Sequence, residues 1–176
     1  SFHDGSGIDG IVELAALGAI EPRLDLVVGV YLLALPHPLV AARQIASLAA
    51  TAPGRVTIGV GVGGEDRHEF EVCEVDPRTR GRRTDVELDL VRRLLAGDTV
   101  DGDGDHFAFE GARIRPVPDP PVPFLVGGRS DAALARAGGL GDGWLAAWCS
   151  PARLRCNSVF RRRAGRVLPR IRSEPH

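Results

Sequence analysis

Lysine and methionine are both missing from the 176-residue sequence, tyrosine occurs once and cysteine three times. Without Lys, all 22 cationic side chains are Arg, which with abundant Ala, Gly, Pro and Val suggests a GC-rich coding sequence. Without Met there is no initiator, so we expect a processed start or a fragment of a longer protein. Cys73, Cys149 and Cys156 are odd in number and lack C-x-x-C spacing. That argues against a disulfide framework and a zinc site, and leaves reduced thiols. The longest apolar run, Leu26 to Leu35, is too short to span a bilayer and ends at Pro36. The start, Ser1-Phe2-His3-Asp4, carries no signal peptide. These absences predict a soluble, cytoplasmic protein with no membrane partner.

An excess of one charge is lacking too: 22 Arg face 23 acids, a net −1. That excludes a globally basic nucleic-acid binder and an acidic disordered chain. The distribution is nevertheless uneven. Residues 1–150 hold 14 Arg and 22 acids (−8), whereas 151–176 hold 8 Arg and only Glu174 (+7). Such a tail reads as a nucleic-acid arm, a solvated end or an out-of-frame translation, the first being the least favoured.

What is present is an alternation of buried strands and amphipathic helices. Asp9 can cap a helix over Gly10 to Ala19. The nearly continuous apolar segment Leu24 to Leu33 reads as a strand buried on both faces. Pro38 starts a helix through Leu48, and Pro53-Gly54 turns into a second buried strand, Arg55 to Val62. After a polar loop, Gly63 to Asp76, comes a long helix ending at Leu95. Its start is open between Pro77 and a capping box, Thr84-x-x-Glu87. His106-Phe107-Ala108-Phe109 suggests a small hairpin, and five prolines between Pro116 and Pro123 an extended connector. Strand Phe124 to Val126, helix Ser130 to Ala137 and strand Gly143 to Trp148 follow. The pattern predicts right-handed βαβ units and a parallel sheet of four strands.

Several motifs bear on chemistry. Gly59-x-Gly61-x-x-Gly64 follows a strand, with Asp85 about 20 residues on, as in a dinucleotide fingerprint. Yet Gly64 opens onto polar Glu65-Asp66-Arg67-His68-Glu69 where an apolar helix face is needed. A Rossmann-type NAD(P) oxidoreductase is thus an alternative, not the leading reading. Gly127-Gly128-Arg129-Ser130 joins strand to helix and suits a phosphate, through helix N–H groups and a fixed Arg charge; an ordinary tight turn reads equally well. Asp101-Gly102-Asp103-Gly104-Asp105 imitates half a calcium loop but has His106 where Gly is required, and reads as a solvated turn. His68-Glu69 lacks a second His, and no G-x-S-x-G is present. His37 reads as a helix cap rather than a base, Trp144 and Trp148 as packing.

Taken in order, Leu26-Val27-Val28-Gly29-Val30, His37-Pro38-Leu39-Val40, Gly54 to Gly63, Arg80 to Asp85, Gly104 to Gly111, Phe124 to Ser130 and Gly141-Asp142-Gly143-Trp144 resemble the luciferase-like monooxygenase family. The resemblance covers residues 1–152 and leaves 153–176 as an Arg-rich tail, frameshifted or disordered. It implies an α/β fold of (β/α)8 TIM-barrel type, incomplete, with about four of eight strands and the first two preceding Ser1. It further implies an oxidoreductase moving hydride through FMN or a deazaflavin coenzyme of the F-420 type to a small-molecule substrate or oxygen. By the resemblance, Val28, Gly29 and Val30 would form a bulge with a non-prolyl cis peptide behind the ring. Gly61, Val62 and Gly63 would line the ring or ribityl chain, and Gly127, Gly128 and Arg129 would hold the phosphate. Glu65 is a further polar contact. No catalytic residue is nominated. Open strand edges imply self-association, and an inactive fragment or an Arg-tail binding module stands as the alternative.

Overall fold

The computed structural model describes residues 7–64, 66–146 and 150. Asp9 opens helix α1 (Gly10–Ile20), its Oδ1 accepting the amides of Ile11 and Val12 at 2.9 and 3.1 Å. These are donors that a first helical turn leaves unpaired. The other end is closed by Arg55, which donates to the carbonyls of Gly18, Glu21 and Leu24 at 2.9, 3.2 and 2.8 Å.

Strands β1 (Leu26–Leu32), β2 (Val56–Gly61), β3 (Phe124–Gly127) and β4 (Gly143–Leu145) form one parallel sheet in the order β1-β2-β3-β4. Every crossover thus steps to the adjacent strand. That is the winding of a (β/α) barrel, here four strands of it, and it removes the Rossmann alternative, whose strand order reverses at a switch point. Between the strands lie α2 (Pro38–Thr51), α3 (His68–Val72), α4 (Arg80–Ala96) and α5 (Asp131–Gly139). Leu26, Val28, Ile58, Val60, Phe124 and Val126 pack with Ile45 and Leu48 of α2 and Leu88 and Val91 of α4 in one core. The Ala-rich face of α2 (Ala41, Ala42, Ala46, Ala49) lets it lie close to its neighbours.

The structure corrects three expectations. Among the described strands only β2 is buried along its whole length; in β1 Leu26 and Val28 are buried, but Val27 is 49% and Val30 39% exposed. An apolar run cannot show whether its strand lies at a sheet edge, and β1 does. Within the polar loop, α3 forms because Phe70 is fully buried against Ala34 and Val75, a single anchor too sparse to make a periodic pattern. The capping box does not start α4. Thr84 Oγ1 donates to the Arg80 carbonyl inside the helix, and Glu87 is fully buried, neither carboxyl oxygen having a hydrogen-bond partner among the described residues. Burial pushes the Glu87 carboxyl up to about 9, against the pull of the Arg83 charge.

The hairpin is present as a Val100–Ala112 bridge extended by Gly102–Phe109 and Gly104–Phe107 bonds. Its aspartates are committed to the turn: Asp103 accepts the amides of His106 and Phe107, and Asp101 that of Gly111. Cys73 is exposed, while Cys149, Cys156, His3, Trp148 and the tail from residue 153 lie outside the described residues. Among the described residues no helix is long and apolar enough to cross a membrane.

Candidate functional site

In a parallel sheet the loops that follow the strands gather at one edge, where αβ proteins build their sites. Gly61 ends β2, Gly127 ends β3, and Gly29-Val30 lies in the second half of β1. The pairing of β1 with β2 is regular from Leu26 to Val28 and slips before Tyr31, so Gly29 and Val30 form a bulge, and the Gly29–Val30 peptide is cis, as the resemblance implied. The Val28 side chain stays in the core beside Ile58, so only its backbone faces the site.

The bulge directs Val30 onto the sheet face opposite the helices. There it lies over three glycines. A Cβ on Gly61 would overlap Val30 Cγ2, and Cβ atoms on Gly59 and Gly127 would come within 3.2 and 3.1 Å of Val30 Cγ1. The structure thus brings together Val30, Gly61 and Gly127 from three strands. Gly59, which the resemblance did not assign to the coenzyme, belongs with them. The signal was in the sequence, because residues two apart in a strand share a face and Gly59-x-Gly61 is such a pair.

Val62 and Gly63 follow β2, and Gly63 lies against the ring of Phe70, which a Cβ there would meet at 2.9 Å. Glu65 lies outside the described residues. After β3, Gly128 has φ +122°, open to few residues but Gly, and its missing Cβ leaves room for Ala133 in the first turn of α5. Ser130 caps that helix, Oγ accepting the Ala133 amide at 3.2 Å. Trp144 Nε1 donates to the Gly128 carbonyl at 2.7 Å, a packing and bracing role. Arg129 is exposed beside the amino end of α5, without a hydrogen bond or ion pair among the described residues. Here an anion would meet helix amides and a guanidinium together.

Other candidates take structural roles. His37 caps α2, Nδ1 accepting the Leu39 amide at 3.2 Å; burial and the Arg83 charge lower its pKa. Asp85, the acid of the dinucleotide fingerprint, pairs with Arg136 of α5 through both carboxyl oxygens, one bond short and the other 3.1 Å. Asp142 accepts two bonds from Arg92 and one from the Phe124 amide, fixing the start of β3 to α4. Among the described residues no cluster of His, Cys, Asp and Glu could hold a metal ion.

Comparison with known proteins agrees with this fold. The chain is 38% identical over 145 residues to an uncharacterised Mycobacterium tuberculosis protein, covering 82% of this chain and 50% of that one. It is 38% identical over 111 residues to the F420-dependent glucose-6-phosphate dehydrogenase of Beutenbergia cavernae, 62% of this chain and 33% of that enzyme. The chain therefore spans half or less of the length of these relatives. Among solved structures it is similar to the monooxygenase RslO1 from Streptomyces bottropensis (TM-score 0.76, 27% identity, 89% of this chain and 49% of that one). It is equally similar to an F420-dependent secondary alcohol dehydrogenase in complex with an F420-acetone adduct (TM-score 0.76, 25% identity, 94% and 53%). The model of the luciferase-like monooxygenase family matches residues 1–160. With the sequential parallel sheet and the bulged first strand, this match means that the chain belongs to the luciferase-like monooxygenase family.

Proposed function

We propose that this chain supplies the coenzyme-binding half of an oxidoreductase that uses FMN or an F-420-type deazaflavin and acts on a small organic molecule. In this reading the bulge Val28-Gly29-Val30 backs the tricyclic ring, Gly61-Val62-Gly63 runs beside the ribityl chain, and Gly127-Gly128-Arg129 with the amino end of α5 holds the phosphate. The observation that carries it is the arrangement at one sheet edge: an apolar side chain on a glycine floor lies beside a capped helix start with an unpaired Arg among the described residues. An extended flat ring with an anionic tail has both features. The bound coenzyme would supply hydride transfer, and FMN also reaction with oxygen. The protein's own residues orient the ring, bind the tail and hold water off the apolar floor.

Fluorescence titration of the full chain with FMN and with F420 tests the reading. We expect one of them to bind, and Arg129→Ala to weaken that binding about tenfold, the worth of one charge-assisted contact, without changing the melting temperature. Wild-type protein that binds neither coenzyme refutes it.

A further inference from the structure

The glycines on the inner face of the sheet have two readings. They can be places where a ligand approaches the backbone, or they can make room for something the protein itself puts there. For the side-chain positions of these glycines the geometry points to the second: we propose that Gly59, Gly61 and Gly127 form a recess for the side chain of Val30, and that this side chain sets the height of the floor of the proposed coenzyme site. The role toward the coenzyme rests on the function proposed above; the packing of Val30 into the recess does not. The space beside Gly61 is taken by Val30 Cγ2 and that beside Gly127 by Val30 Cγ1, the two methyl groups of one residue fitting between β2 and β3. Val30 nonetheless keeps 39% of its surface exposed, so its outer side is available to a ring. Val30 would touch the ring; through their empty side-chain positions Gly61 and Gly127 act on the ring as positioning residues, while their backbones stay open to the ribityl chain and phosphate.

The recess makes a prediction that direct ligand contact does not. Adding a methyl at Gly61 should push Val30 outward, and trimming Val30 to Ala should relieve it. Beyond Val30 Cγ2, the nearest atoms to a Gly61 Cβ are Val30 Cβ at 3.4 Å and Leu32 Cδ2 at 3.5 Å, ordinary contacts. Gly59 provides an internal control. A Cβ there overlaps the Val28 carbonyl oxygen, a backbone atom, so trimming Val30 cannot relieve it.

The experiment is a double-mutant cycle on the full chain, read by melting temperature without coenzyme and by titration with FMN and F420. Gly61→Ala should lower the melting temperature by roughly 5 °C and weaken coenzyme binding about tenfold. Val30→Ala/Gly61→Ala should regain most of both losses, whereas Val30→Ala/Gly59→Ala should remain as impaired as Gly59→Ala. If Gly61→Ala does not fold, the double variant should still do so. A double variant no better than Gly61→Ala, or a Gly61→Ala that behaves as wild type, overturns the recess. Rescue of melting without rescue of binding overturns the positioning role. Failure of wild-type protein to bind either coenzyme refutes the functional reading instead, and the melting cycle still decides the recess.

Discussion

Raising the pH from 5 to 7.5 should cost the wild-type chain stability that a Glu87→Gln variant keeps. In the folded chain burial holds the Glu87 carboxyl protonated up to about 9, while in the unfolded chain it ionises near 4.5. Between those values the folded state binds one proton more than the unfolded state, so stability falls as pH rises, by about 1.4 kcal/mol per unit. The cost of Glu87 relative to a permanently neutral residue grows from under about 1 kcal/mol at pH 5 to about 4 kcal/mol at pH 7.5. Gln has nearly the same shape and cannot ionise, so the gap between the two proteins should be smallest at pH 5 and widen above it. His37 works the other way: its lowered pKa removes stability as pH falls below about 6.5. It is common to both proteins and cancels in their difference. Urea denaturation followed by far-UV circular dichroism at half-unit steps gives that difference directly. A gap between variant and wild type that stays constant within about 0.5 kcal/mol from pH 5 to 7.5 would refute the argument that Glu87 is folded in its neutral form.

Two further perturbations test how the elements are held. Arg55→Ala removes the guanidinium that bonds the carbonyls of Gly18 in α1 and of Glu21 and Leu24 just after it and should destabilise the chain by about 1–3 kcal/mol, measured by thermal melting, with amide exchange rising first in α1; exchange unchanged in α1 would contradict it. Burial acts to raise the Asp142 pKa, but the Arg92 and Phe124 hydrogen bonds and the Arg92 charge outweigh it and leave it lowered. Its stabilisation is therefore present above about pH 4 and lost in acid. Since both partners are more than a third exposed, Asp142→Asn should cost only about 1 kcal/mol at pH 7 and less at pH 3, and an equal cost at both would contradict the ion pair.

Much of the fold could be read locally because its signals are local. Asp9, His37 and Ser130 stand directly before helices whose free amides they accept, and each does so in the structure. The runs that became β2 and β3, the Pro38 start of α2 and the glycine turn before α5 follow from backbone preferences and hydrophobic period, which need no knowledge of what packs against them. Resemblance added the bulge at Gly29-Val30, which no propensity would supply. What the sequence alone left undetermined depends on partners far along the chain. Asp85 and Arg136 are 51 residues apart, Arg92 and Asp142 50, and Arg55 reaches back 37 to Gly18. Glu87 could pass for a capping residue until α4 turned it into the core, because helical phase fixes which side a residue takes but not what awaits it there. The glycines on β2 and β3 were legible as close approaches. Only the bulge in β1, where the register with β2 slips, decides that Val30 fills the gap above them.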